Sequence, residues 1–529
     1  MKFIRLKKYV HLLTVAATGR GKSIYVLIPN LLTFRGSVVC VDPKGELYQC
    51  TADHRRKVLG QRVFLLDPYG ICQGAVSHGF NPLAFVDVQA PDFLDQLGDM
   101  ANMLVMRTGR ETEEHFNDAA EMVIQALLAY ICACEDRPSD RSFQTFRDIV
   151  ASPERLAKAL LEMQQIDEHA GRLSRKGHAL TWFRERELGS VLTTVQRHTD
   201  FLDSPPVGDC LDPRVLRSGN ATVYLCLPHD KLTKQAPLMR LWIGSIIRII
   251  TRKGIHDTTP VTFFLDEAAA LGKLKILEDA VAMMRGMGIR LWFFFQSLQQ
   301  LKTCYGDRAG VILENCDTQQ YFGVNSYESA EEVSKRCGDQ TILVESYNTS
   351  SGRSRNVGGH SPGRQEGSVS SGQGNSWSEM ARRLFKAEEI LGLPDDVALV
   401  FHRNVPVVIS RLVAYFDPRF NTREAVKKPY VGISSLLTAM LMLAASFLFA
   451  GVTLVLTGAT TLPARPMTAP GYPSSPQFQF TPDMMIDPDG PGFRQFSEPG
   501  GVRHRYPRPR LPRAEDRLPS KSGFLIEIK

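Results

Sequence analysis

The sequence has no CxxC pair, no strong excess of either charge sign and no long apolar run near its amino terminus. Its ten cysteines are scattered, with Cys132 and Cys134 the one close spacing. That usage excludes a zinc site or a disulfide framework and suits a reducing, cytosolic compartment. Lys plus Arg exceed Asp plus Glu by 63 to 56, and a net charge of +7 is compatible with nucleic acid or an anionic membrane surface without demonstrating either. Lys2, Arg5, Lys7 and Lys8 open the chain with no apolar run behind them, so a secretory signal peptide is not expected.

What is present is more telling. At 529 residues the chain has material for two or three domains. Apolar runs, five of the seven ending in a polar residue, recur at Tyr9–Val15, Ser37–Asp42, Arg62–Asp67, Thr222–Leu227, Val261–Asp266, Arg290–Gln296 and Val397–His402. Each reads as a buried parallel strand, and their alternation with helical patterns predicts an α/β fold with helices on both faces. The strand signature vanishes between about residues 91 and 214. There "HFNDAAEMVIQALLAY" sets Phe116, Ala120, Val123, Leu127 and Tyr130 on one helical stripe, which predicts an inserted all-helical domain. The expected layout is a nucleotide-binding domain in two parts, residues 1–90 and 215–425, around that insert.

Two further stretches differ in kind. Residues 348–379 are half Ser and Gly, with Arg353, Arg355 and Arg364 among them, and read as a flexible loop. Val431–Leu456 is free of charge over a length that suffices to cross a bilayer, whereas buried core helices rarely exceed ~14 uninterrupted apolar positions. It is expected to be a transmembrane helix, and Lys427 and Lys428 before it place the preceding domain in the cytosol. Thirteen prolines between Pro463 and Pro519 predict a disordered tail over 457–529.

The chemistry concentrates in two places. "VAATGRGKS", Val15–Ser23, follows a strand and precedes a helix, and it is a phosphate-binding loop in all but Ala16, where the strict pattern has glycine. Such a loop aims backbone N–H groups and a helix N-terminus at phosphate oxygens. Thr18, Gly19, Arg20, Gly21, Lys22 and Ser23 are the expected nucleotide contacts, with Lys22 on the β- and γ-phosphates and Ser23 on Mg2+. "FFLDEAAAL" ends a strand in Asp266, a second Mg2+ ligand, and Glu267, which can polarise an attacking water. Gln296 closes the next strand, at the carboxyl edge where ligands of parallel sheets sit, and could feel the γ-phosphate. Arg285 and Arg290 flank the turn before that strand, and one of them could stabilise transition-state charge in a neighbouring subunit.

With these motifs stand "GSVVCVDPKGEL" (Gly36–Leu47), "FNPL" (Phe80–Leu83), "ERELGSVLTTVQRHTDFLDSP" (Glu185–Pro205), Phe264–Gly306 and Leu384–Pro418. In that order they resemble the type IV secretion coupling proteins, the TraG/TraD group of conjugative DNA-transfer ATPases. The resemblance spans residues 9 to 420, and in that family the phosphate loop often opens with Ala. It implies a RecA-like P-loop NTPase, hexameric at the bacterial inner membrane, that uses ATP and Mg2+ to pass relaxase-bound single-stranded DNA to a secretion channel. Lys22, Ser23, Asp266, Glu267 and Gln296 would be its nucleotide-site residues, and the helical insert would recruit substrate. DNA contact would be phosphate-directed and sequence-independent. Members usually begin with transmembrane helices, whereas here the apolar run follows the motor. Secreted protein effectors as cargo, and a nucleotide-gated docking platform without hydrolysis, are the alternative functions.

Overall fold

The computed structural model describes residues 2–6, 9–107, 114–135, 137, 141–167, 169–203, 211–232, 234–252, 254, 259–354, 368–417 and 524–528. The predicted transmembrane run 431–456 and most of the Pro-rich tail lie outside these residues.

In chain order the strands are β1 (Lys2–Leu6), β2 (His11–Ala16), β3 (Ser37–Val41), β4 (Arg62–Leu66), β5 (Ala221–Leu225), β6 (Val261–Leu265), β7 (Ile289–Phe295), β8 (Cys316–Phe322), β9 (Asp339–Ser354), β10 (Ser368–Arg383), β11 (Val397–His402), β12 (Val405–Arg411) and β13 (Phe524–Ile528). Eleven form one sheet in the order β1-β13-β12-β11-β8-β2-β7-β6-β3-β5-β4. Its half from β8 to β4 is parallel throughout. Strands β2, β3, β5, β6 and β7 are buried at every position, which is why their sequences read as unbroken apolar runs.

Three expectations need correction. The run Val397–His402 is a strand, but an antiparallel one: after His402 the chain turns at once through Arg403 and Asn404 into β12, and a connection that short can join only antiparallel neighbours. Within 348–379, read as a loop, the described residues belong to a two-stranded ribbon of β9 and β10. Backbone pairing carries that ribbon, so little apolar burial is needed there. Phe524–Ile528, read as part of a disordered tail, is β13, pairing with β1 and β12. Strand β8 escaped sequence reading because Asp317, Thr318, Gln319 and Gln320 break its apolar pattern. Its polar side chains are satisfied inside: Gln319 accepts from Tyr321 and Arg336, and Gln320 from Thr14.

Between β4 and β5 run the helices Phe93–Leu104, Glu114–Cys134, Phe143–Ala151, Pro153–Gln164, Arg172–Leu180 and Glu185–Thr199. They bury a core of their own, with Ala120, Val123 and Leu127 inside it and Phe116 and Tyr130 at its margin. Among the described residues, Glu114–Cys134 is the one helix long and apolar enough to cross a membrane, and it is the central helix of this core.

Candidate functional site

Register brings the predicted residues to one edge. Val41 lies opposite Leu265, Leu265 opposite Phe293, and Val15 opposite Phe295. The residues just past these strand ends are therefore neighbours: Asp42, Asp266, Gln296 and the loop that leaves β2.

That loop needs two left-handed residues, and both are glycine: Gly19 at φ 78° and Gly21 at φ 81°. Gly21 is doubly required, since a Cβ there would lie 2.5 Å from the Tyr25 ring. Helix winding starts at Lys22 with wide, π-type turns over Lys22–Leu27 and becomes α-helical over Ile28–Thr33. Thr18 and Ser23 sit on either side of this turn. Arg20 points away from it, ion-paired with Asp395 and donating to Asn325 Oδ1 at 3.1 Å.

Lys22 is partly buried and donates to the Ala16 carbonyl at 2.8 Å. Burial lowers its pKa, against the opposing pull of Glu267 and Asp266. Asp266 is pushed up to about 7, first by burial, then by the charge of Glu267, with Lys22 opposing and Asp42 adding. Three carboxylates and two ammonium groups, Lys22 and Lys44, thus act on this corner, an acidic excess that suits a cation.

Glu267 adopts a left-handed backbone, φ 52°, unusual for a residue with a Cβ. Its carboxylate is engaged: Gln296 Nε2 donates to Oε1 and Oε2 at 3.2 and 3.0 Å. Thr18 in turn donates through Oγ1 to Gln296 Oε1 at 2.8 Å, and the Gln296 N–H donates to Gln300 Oε1 at 2.8 Å. One amide therefore spans the phosphate loop and the glutamate, in an orientation fixed from both sides. Beside it opens a cavity of about 280 Å³, lined by neutral side chains that include Thr18, Gln296, Gln300 and Asn325.

Thr18, Gly19, Arg20, Gly21, Lys22, Ser23, Asp266, Glu267 and Gln296 are thus gathered at the carboxyl edge. Arg285 is not: it is exposed, ahead of the amino end of β7, on the opposite edge of the sheet. Arg290 is buried beside it, donating to the Arg285 carbonyl at 2.8 Å. No intrachain contact of either arginine with the phosphate loop follows from this placement. Sequence reading gave no role to Asp42, although β3 ends in Asp as β6 does. It named Thr18 as a nucleotide contact but not as a partner of Gln296, because a hydroxyl's partner 278 positions away leaves no local signal.

Residues 2–435 match the family model described as "Type IV secretory system Conjugative DNA transfer". A conjugal transfer protein TraG of Escherichia coli is 26% identical over 467 residues, covering 81% of this chain and 71% of that protein. Protein VirD4 of Agrobacterium fabrum is 27% identical over 433 residues, covering 78% of this chain and 60% of its own length. Among solved structures, the bacterial conjugative coupling protein TrwBdeltaN70 superposes with a TM-score of 0.55 at 19% identity, over 76% of this chain and 85% of that one. TrwB in complex with ADP and Mg2+ gives 0.52 at 18% identity, over 76% and 84%. At such identities the structural likeness speaks to the fold, an α/β domain with a mixed, largely parallel sheet.

Proposed function

The chain belongs to the type IV secretory system conjugative DNA transfer family, and from that membership we propose that it is a coupling protein: an ATP-driven motor that takes relaxase-bound single-stranded DNA and moves it toward a type IV secretion channel. In this reading residues 1–90 and 215–425 are the RecA-like motor and 91–214 the substrate-recruiting insert. Val431–Leu456 anchors the protein in the inner membrane with the motor in the cytoplasm, and six copies form the working ring. Arg285 enters the chemistry only in trans, from a neighbouring copy.

The observation that carries the reading is the hydrogen-bonded chain Thr18–Gln296–Glu267 beside a glycine-shaped phosphate loop. A platform that only binds nucleotide has no use for a carboxylate held by an amide that also reaches the phosphate loop. In the proposed cycle Lys22 exchanges the Ala16 carbonyl for phosphate oxygens, and the N–H groups of Gly19–Ser23 cradle the phosphates. Mg2+ fits the residues present: Asp266, whose charge Lys22 and the Glu267 N–H offset only in part, and the Ser23 hydroxyl would hold it alongside phosphate oxygens. When bound, the ion neutralises charge on the phosphates. Glu267 accepts a proton from the attacking water, and Gln296 releases or retains Glu267 according to what Thr18 touches.

The test is steady-state ATP hydrolysis by the full chain with and without single-stranded DNA. Turnover that rises with DNA and is lost in Lys22→Ala is the expected result. Turnover unaffected by Lys22→Ala would end the motor reading.

A further inference from the structure

The helix Ala236–Thr251 lies between the motor and the helical insert, and Arg240 on it is almost fully buried, 3% exposed. Its hydrogen bonds all go to backbone carbonyls, from two separate places. Nε donates to Met103 at 2.9 Å and Nη2 to Asn102 at 3.4 Å, at the end of the insert's first helix. Nη1 donates to Leu271 at 3.1 Å and Lys273 at 2.7 Å, in the segment that follows Glu267. Burial without a carboxylate partner pulls its pKa down to about 10. A charge is expensive to bury in this way, and an apolar residue would pack the same space at less cost. Fixing four carbonyls at once is what the guanidinium fork does and other side chains cannot.

We propose that Arg240 is a positioning residue: it ties the turn carrying Glu267 to the helical insert, so that nucleotide state and insert conformation change together. This rests on the reading of Glu267 as the water-activating group. The path is short. Glu267 opens the single turn Ala268–Leu271, the Ala270 N–H bonds back to the Glu267 carbonyl at 2.8 Å, and Leu271 ends on Arg240. Any relaxation of the left-handed Glu267 backbone must move this turn. On the other side Asn102 and Met103 close the helix Phe93–Leu104, and Met103 itself lies in the motor's core. The contact is tight: a Cβ on Gly244, one turn along from Arg240, would stand 2.3 Å from Met103 Sδ. Docking of the insert does not depend on Arg240. Arg248 pairs with Asp99 at 2.7 Å, and Leu238 and Leu241 of the same helix pack into the insert's core, so altering Arg240 leaves the two parts attached.

The experiment uses the full chain and hydrogen exchange of residues 93–105, with and without Mg2+ and a non-hydrolysable ATP analogue, alongside analogue affinity. In the unaltered protein the analogue should change exchange of this segment about threefold or more. In Arg240→Met and Arg240→Lys that response should vanish while affinity stays within about threefold, and kcat should fall about tenfold at unchanged KM. Arg248→Ala should keep both the response and kcat. If Arg240→Met does not fold, Arg240→Lys, which keeps bulk and charge, decides. A response retained in the Arg240 variants, or an unaltered protein that binds the analogue with no change over 93–105, overturns the coupling alone. An unaltered protein that does not bind the analogue overturns the functional reading and the coupling with it.

Discussion

Strands β3 and β6 lie side by side and both end in aspartate, yet the two ends are built differently. After β3 the chain runs Asp42-Pro43-Lys44-Gly45, and the left-handed position falls to a glycine, Gly45 at φ 68°. The Asp42 carboxylate turns inward and accepts the Tyr48 N–H at 2.8 Å, at the start of the helix Glu46–Lys57. That is a helix-start carboxylate completing its own fold. After β6 the left-handed position falls to Glu267, and the Asp266 carboxylate accepts only the N–H of its neighbour, at 3.1 Å, among the described residues. A left-handed non-glycine residue costs on the order of 1 kcal/mol or more, and natural proteins keep such strain where function demands it. The same strand end thus serves structure in one place and is left open to a ligand in the other.

The sharpest way to break this comparison is to neutralise the acidic residue each turn presents. Glu267→Gln should lower ATP turnover about 10²- to 10³-fold while nucleotide affinity is kept, because it removes the proton acceptor and little else. Asp42→Asn should leave turnover within a few-fold. Equal losses in the two variants, read by steady-state ATPase, would mean that both ends are catalytic.

A smaller effect is expected from the side contact that distinguishes the β6 end. Thr18→Val removes the hydroxyl that fixes the Gln296 amide, so kcat should fall about tenfold with KM unchanged. A variant with normal kcat would make Thr18 a bystander.

The smallest effect is on stability and depends on pH. Asp42 and Asp266 have pKa values raised to about 6 and about 7. A raised carboxyl pKa favours the folded state below about pH 4, and that contribution is lost as pH climbs through the folded value. The nucleotide-free protein should therefore lose stability between about pH 4 and pH 8. Asp266→Asn should restore part of it, raising Tm by about 2–4 °C at pH 8 and by nothing measurable at pH 5. Asp42→Asn should gain less at pH 8, since it also weakens the bond from the Tyr48 N–H. Thermal melts at the two pH values separate the cases.

Much of this was legible in the residues. Val261–Asp266 and Arg290–Gln296 announce buried strands because a strand covered on both faces has no reason to alternate, and the Gly19–Ser23 spacing is chemistry written in sequence. The hairpin β9–β10, the polar strand β8 and the closing strand β13 were not legible, because each is held by distant backbone or by buried side-chain pairs that leave no local period. Arg285 is of another kind: a role in a neighbouring copy depends on how two chains meet, which neither the sequence nor the fold of one chain decides.

By itself the sequence determined the α/β fold class and the two glycines that shape the loop after β2, since hydrophobic patterning and glycine freedom are local properties. Only the tertiary structure decided that Gln296 spans Thr18 and Glu267, that Asp42 accepts a helix-start N–H while Asp266, among the described residues, accepts only its neighbour's, and that Arg240 reaches the carbonyls of both Met103 and Leu271. Each of those depends on which carbonyls and carboxylates meet after folding, at ranges of tens to hundreds of residues where no sequence period reaches.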